Sequence, residues 1–277
     1  MSNNKVIITA AISGAEVTQE MNPAVPYTID DYVREAKGAY EAGAAIIHLH
    51  ARFDDGTPTQ DRERFRVIID AIQKACPDAI IQPSTGGATG MTADERLQPT
   101  ELNPEMASLD CGTMNFGGDE IFVNTENMII EFAARMNERG IKPELECFDK
   151  SHVDMALRLV SKGHIKPPLH FNFVLGVNGG ATGTPRDLLF LTESIPADAT
   201  FTVTGVGRCQ LEMNVMGMIL GGHVRVGFED NLKYNRERNG VSNAEFVERI
   251  VRIAKELNKE IATPAEAREI LHLPARA

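Results

Sequence analysis

Residues 44–53, AAIIHLHARF, form an apolar run that ends in two histidines separated by one leucine. In a β-strand alternate side chains share a face, so His48 and His50 point one way and Leu49 the other. Their Cβ atoms then stand about 6–7 Å apart, and both imidazoles reach one ion. Packed or surface histidines are the competing account, because a lone H-x-H is not a strong zinc spacing. The neighbouring residues bear on the fold. RFRVIIDAIQKAC has helical periodicity, and after it comes a second apolar run, AIIQPST.

This alternation continues in both directions. KVIITAAIS precedes, and MASLDCGTMNF, PELECFD, PLHFNFVLGV, ATFTVTGVG and HVRVGFED come after, each succeeded by a stretch of helical pattern. TADERLQPTELN, after the third run, shows that pattern least. Thr92 with Glu95, Ser242 with Glu245, and Thr263 with Pro264 and Glu266 have the spacing of helix N-caps, while Gly140 and Gly163 stand where helices should end. Strands alternating with helices imply parallel strands joined by crossovers. Eight such units in 277 residues favour a single-domain (β/α)₈ TIM barrel over residues 1–277, with a C-terminal helical extension from about residue 260. An open doubly wound sheet is the alternative, but the first strand leads into TAAISGAE and not a G-x-G-x-x-G turn.

Composition narrows the function classes. No stretch reaches the ~18–20 apolar residues of a membrane span, and MSNNKVIITA lacks the pattern of a secretory signal. Cys76, Cys111, Cys147 and Cys209 are widely spaced, without a C-x-x-C, and a cytoplasmic setting fits best. A net charge of −11 opposes nucleic-acid and anionic-membrane binding at long range, yet leaves room for a small anion held by local donors.

In a barrel, chemistry gathers beyond the C-terminal ends of the strands. Polar residues collect there: Glu16 after the first strand, Ser84 to Gly87 after the third, Glu146 and Asp149 on the fifth, Arg208 after the seventh, Glu229 and Asp230 at the eighth. In HVRVGFED, Arg225, Gly227 and Glu229 share a parity, and closure brings this strand near the second. Glu229 then completes a set with His48 and His50. Two imidazoles, one carboxylate and an open position suit catalytic zinc, and equally a non-haem iron triad. Asp230 beside Arg225 is a candidate general base held by a guanidinium, against the plainer account of a structural ion pair. The Ser84-Thr85-Gly86-Gly87 turn offers hydroxyls and amides to an anion, or is simply a glycine turn. Ser108 on the fourth strand adds a hydroxyl. His152, His170 and His223 are expected to be packed residues with no carboxylate partner.

TAAISGAE, HLHAR, STGGATGMT, GTMNFG, PELECFD, LHFNFVLGV and GGHVRVGFEDN together give the chain a resemblance, along nearly its whole length, to the β-keto acid cleavage enzymes. The resemblance implies zinc on His48, His50 and Glu229. It implies acyl-CoA:β-keto acid acyltransfer, in which a 3-oxo acid and acetyl-CoA become acetoacetate and a new acyl-CoA. Ser84, Gly87 and Ser108 would contact substrate, Asp230 oriented by Arg225 would remove the α-proton, and Glu146 would be a supporting acid. Ser108 stands where related enzymes acting on an amino substrate have threonine, with the hydroxyl kept. Glu16 matches a position that holds a substrate ammonium. This puts 3-keto-5-aminohexanoate, of lysine fermentation, first and another cationic acid such as dehydrocarnitine second. The resemblance also implies a homotetramer. Arg52, Arg236 and Arg238 are the candidates for the phosphates of coenzyme A. A metal-dependent hydrolase or a non-haem iron dioxygenase on the same barrel remains the alternative class. In such hydrolases, however, the H-x-H lies on the first strand, and here it lies on the second.

Overall fold

A computed structural model describes residues 4–273. Its frame is eight parallel strands: β1 (Ile8–Ser13), β2 (Ile46–Leu49), β3 (Ile80–Pro83), β4 (Met106–Asp110), β5 (Lys142–Cys147), β6 (His170–Leu175), β7 (Thr200–Gly205) and β8 (His223–Val226). They pair in the order β3-β2-β1-β8-β7-β6-β5-β4, so the first and last strands in sequence are neighbours. The seam between β3 and β4 carries no ladder. Side chain and backbone close it just above: Thr85 N–H donates to Ser108 Oγ at 3.0 Å and Thr85 Oγ1 to Ser108 O at 2.6 Å. The result is the expected TIM barrel.

Helices α1 (Ile29–Ala42), α2 (Arg62–Ala75), α3 (Ala93–Leu97), α4 (Glu126–Glu138), α5 (Lys150–Ser161), α6 (Pro185–Thr192), α7 (Gln210–Ile219) and α8 (Asn243–Glu256) follow the strands in turn. None is long and apolar enough to cross a membrane, among the described residues. Helix α8 shows why these segments are helical. Phe246, Val247, Ile250 and Ala254 recur on one face and are buried, and Ser242 caps the first turn through the Glu245 amide. Such a cap contributes about 1 kcal/mol. Helix α3 is short because Pro99 has no amide to extend the ladder, and a 3₁₀ turn over Gln98–Leu102 takes its place.

Strand parity sorts the core. Ile8, Ala10, Ile12, Ile47, Leu49, Val224 and Val226 face outward and pack with Phe65, Ile68 and Phe246 of the helices. Ile7, Ile46, Ile80 and Met106 point inward at the other end, where they meet Ala267 and Leu271 of α9 (Pro264–Leu271). The layers above them are polar, which is unusual for a barrel interior and marks the C-terminal half as functional.

Three expectations need correction. The first apolar run is broken: Lys5–Val6 pairs with Glu260–Ile261, so the C-terminal extension begins with a short strand before α9, and residues 274–277 lie outside the described residues. The fourth run splits after Asp110, and Met114–Phe116 turns back on Glu120–Phe122 as a hairpin near the mouth. The eighth strand ends at Val226 and not at Asp230, because the chain turns at Gly227.

Candidate active site

Inward parity places Ile46, His48 and His50 in successive layers of β2 and just beyond it. His48 Nδ1 and Gln82 Oε1 are 3.0 Å apart, a contact that, with Nδ1 as the donor, leaves Nε2 a free lone pair. Nε2 is buried with no hydrogen-bond partner, as is Glu229 Oε2. His48 Nε2 lies 3.3 Å from Glu229 Oε2, and His50 Nε2 lies 3.5 Å from Glu229 Oε1. One donor atom from each of the three residues falls within 4.8 Å of the others. Orphaned, converging donors of this kind fit a divalent ion with open positions, which is the catalytic pattern and not the structural one.

Glu229 gets there by a turn and not by strand parity. After Val226, Gly227 adopts φ +142, and the amides of Asp230 and Asn231 both return to its carbonyl. A Cβ on Gly227 would sit 2.2 Å from Ala11 O, so only glycine permits the turn. Gly14 supplies the matching space across the gap, since a Cβ there would stand 2.7 Å from Glu229 Cγ. Glu229 N–H donates to Ala11 O, fixing the turn to β1. Burial pushes the Glu229 carboxyl up, but Arg225, His48 and His50 outweigh it and hold its pKa well below the usual range.

The guanidinium of Arg225 gathers the acids. Nη1 donates to Glu146 Oε1 at 3.1 Å, Nε to Asp230 Oδ2 at 3.0 Å, and Nη2 to Asp230 Oδ1 at 2.9 Å and also to Glu229 Oε1. Burial raises the pKa of Asp230 against the pull of Arg225, which makes it a better proton acceptor once ionised. Glu146 is raised well above its ordinary value, first by burial and then by Asp110.

His50, Glu146, Arg225, Glu229 and Asp230 border one cavity of about 400 Å³, with His48 buried behind them. Glu16, Ser84 and Gly87 also line it, Glu16 from an exposed position on the rim. Ser108 does not line it. Its hydroxyl lies beneath, accepting from the Thr85 amide, and the Gly86 amide is taken by Ser84 Oγ. Two of the amides expected to face an anion are therefore already satisfied.

Three features were missed. Asp110 lines the cavity in register with Glu146, with Arg96 Nη2 3.3 Å behind. Its shared inward parity with Ser108 was the available signal. Below the site, Asn172 Nδ2 bridges Glu144 and Glu146 at 3.3 and 3.2 Å. Finally, His170 does have an acidic partner, Glu144, at 3.2 Å, because both occupy inward positions of neighbouring strands. Of the phosphate candidates, Arg52 is buried and donates to the carbonyls of Gly14, Ala15, Val17 and Gly56, which removes it from that role. Arg238 is occupied by Glu245, and Arg236 is exposed.

Residues 5–273 match the beta-keto acid cleavage enzyme family. The chain belongs to that family. It is similar to the 3-keto-5-aminohexanoate cleavage enzyme of Acetoanaerobium sticklandii, at 66% identity over 96% of this chain and 98% of that one. A more distant relative is the 3-oxoadipate:acetyl-CoA acetyltransferase of Cupriavidus necator, 38% identical over 97% of this chain and 95% of that one. Among solved structures the apo structure of ObcA superimposes with a TM-score of 0.80 at 21% identity, covering 91% of this chain and 66% of that one, which speaks to fold alone. As a beta-keto acid cleavage enzyme the chain is an acyltransferase.

Proposed function

We propose that this enzyme converts 3-keto-5-aminohexanoate and acetyl-CoA into 3-aminobutanoyl-CoA and acetoacetate, with zinc on His48, His50 and Glu229. The observation that carries the reading is the joining, through Arg225, of the metal carboxylate Glu229 to the base Asp230 at the wall of a cavity whose rim presents Glu16. The relative from A. sticklandii supports the same substrate.

Asp230, aimed by Arg225, takes a proton from the carbon between the keto and carboxylate groups. A bound divalent ion supplies the Lewis acidity that lowers the energy of the resulting enolate. The enolate carbon bonds to the acetyl carbonyl carbon, and the CoA sulfur passes to the former keto carbon. The original bond between those two substrate carbons then breaks, releasing the new acyl-CoA, and the acetoacetate carbanion recovers its proton from Asp230. Ser84 and Gly87 orient the substrate carboxylate, and Ser108 acts by holding Thr85 in place. Glu16, with no ion-pair partner among the described residues, faces the substrate ammonium and rejects neutral analogues, which would leave it unpaired. Dehydrocarnitine satisfies the same charge and belongs in the comparison. A homotetramer is part of this reading, supported by exposed Leu189, Phe190 and Ile219 on α6 and α7.

Mass spectrometry of the acyl-CoA product from acetyl-CoA and a panel of β-keto acids tests the proposal. 3-Aminobutanoyl-CoA with acetoacetate is expected at the highest kcat/KM. Preference for a neutral acid overturns the substrate, and no acyl exchange with any acid overturns the reaction.

A further inference from the structure

Cations are scarce at the mouth of this acidic barrel. The loops that follow β1, β3, β4, β5 and β6 contain neither lysine nor arginine, and Arg52 after β2 is buried on carbonyls. The loop after β7 contributes Arg208, and the loop after β8 contributes Lys233, Arg236 and Arg238. Arg238 is occupied by Glu245, whereas the exposed side chains of Arg208 and Lys233 have no carboxylate partner among the described residues.

These two loops are tied together and to the site. Gly207 N–H donates to Asp230 O at 2.8 Å, so Arg208 follows directly on a residue bonded to the proposed base. Asn231 Nδ2 reaches Gln210 Oε1 at 3.2 Å and Lys233 O at 2.7 Å, joining the start of α7 to the β8 loop. Val206, two residues before Arg208, lines the cavity in an apolar cluster with Phe122, Phe148 and Val174. Arg186 lies in the first turn of α6, after the β6 loop. It is the second residue of α6, three residues after Gly183, which packs on Cys209, and the neighbouring Asp187 is already engaged by Thr182 and Thr184. The apolar wall of the cavity at Val206 therefore stands two residues along the chain from Arg208, whose loop is hydrogen-bonded to the one that carries Lys233.

We propose that Arg208 and Lys233, flanked by Arg186, bind the phosphates of the coenzyme A thioester. The nucleotide lies over the loops after β7 and β8, and the thioester end passes Val206 into the cavity. The assignment rests on acetyl-CoA being the co-substrate. In a chain of net charge −11 a polyanion needs a local positive field to approach, and this corner supplies it without using any residue of the metal or base. The loops after strands seven and eight are also a frequent phosphate site of this barrel architecture.

The test is calorimetric titration of coenzyme A, and steady-state kinetics with acetyl-CoA and acetyl-pantetheine, on the wild type and on Arg208→Gln, Lys233→Gln and the double variant. The double variant is expected to weaken coenzyme A binding and raise KM for acetyl-CoA by about tenfold or more. With acetyl-pantetheine, which lacks the nucleotide phosphates, the gap between variant and wild type should close. Wild-type KM for acetyl-CoA should also rise with ionic strength more steeply than that for acetyl-pantetheine. Unchanged coenzyme A affinity in the double variant, or equal losses with both thioesters, overturns the phosphate site while leaving the reaction standing. A wild type that binds coenzyme A through these residues but exchanges no acyl group overturns the reaction and keeps the site. A wild type with no affinity for coenzyme A removes both.

Discussion

Arg225 meets Asp230 side-on, Nε to Oδ2 at 3.0 Å and Nη2 to Oδ1 at 2.9 Å, so both carboxylate oxygens are fixed by one planar group. The fork sets the direction of the base more tightly than a single contact would. Asp230→Asn keeps the shape and removes the base. Turnover is expected to fall by about 10²–10⁴-fold, while metal content and circular dichroism match the wild type. Activity within a few-fold of wild type would assign the proton to another group.

Arg225 is buried against Glu146, Glu229 and Asp230 at once. Arg225→Met leaves these acids without their cation, and urea unfolding should show a loss of about 3–5 kcal/mol. Arg225→Lys restores the charge without the fork. It is expected to regain much of the stability and little of the kcat, a split that separates positioning from folding.

Gln82 meets His48 at Nδ1, the nitrogen turned away from Glu229. Gln82→Leu should lower metal affinity by about 10–100-fold in a competition titration with a chromophoric chelator. His48→Ala should abolish binding at this site. Elemental analysis of the purified wild type is expected to show zinc in proportion to activity, and iron in that proportion would move the site to the other chemistry its donors allow.

Glu16 stands exposed on the rim of the cavity that Asp230 and Glu229 border. Glu16→Gln should reduce kcat/KM for the amino substrate by about tenfold or more and change a neutral β-keto acid of the same length far less. Equal losses on the two acids would show that the carboxylate shapes the rim without reading charge.

His223 is buried, its Nδ1 accepting from Ile7 N–H, and burial together with nearby His170 depresses its pKa to about 3. The folded chain therefore keeps it neutral where the unfolded chain, with a histidine pKa near 6.5, takes a proton. The stability it permits is complete above about pH 6.5 and is lost as pH falls from there toward 3, at up to about 1.4 kcal/mol per unit. His223→Asn retains an acceptor and cannot titrate. The difference in unfolding free energy between variant and wild type should move in the variant's favour as pH drops from 7 to 4.5. A pH-independent difference would remove His223 from the acid sensitivity.

Much of the site was legible in one dimension. The His48–His50 parity was enough to suggest a shared ion, and Arg225 was placed inward by the same alternation. Glu229 was found for an incomplete reason: it shares that parity only on paper, since the strand ends at Val226 and a glycine turn delivers the carboxylate. Ser108 was read as a contact of substrate, whereas its hydroxyl holds the Thr85 amide where the β3–β4 seam closes. Asp110 escaped notice because its importance depends on facing Glu146, a relationship set by the register of β4 against β5.

The alternation of strands and helices, the helix caps and the inward strand positions are all encoded in one dimension. All three arise from backbone periodicity and capping chemistry within a few residues. Which inward groups meet was settled by packing in three dimensions: β1 and β8 are neighbours, Glu229 turns onto His48 of β2 and His50 just beyond it, and one guanidinium serves three acids. Closure, register and the turn beyond a strand's end join residues far apart in the chain, and no local pattern encodes the distance between them.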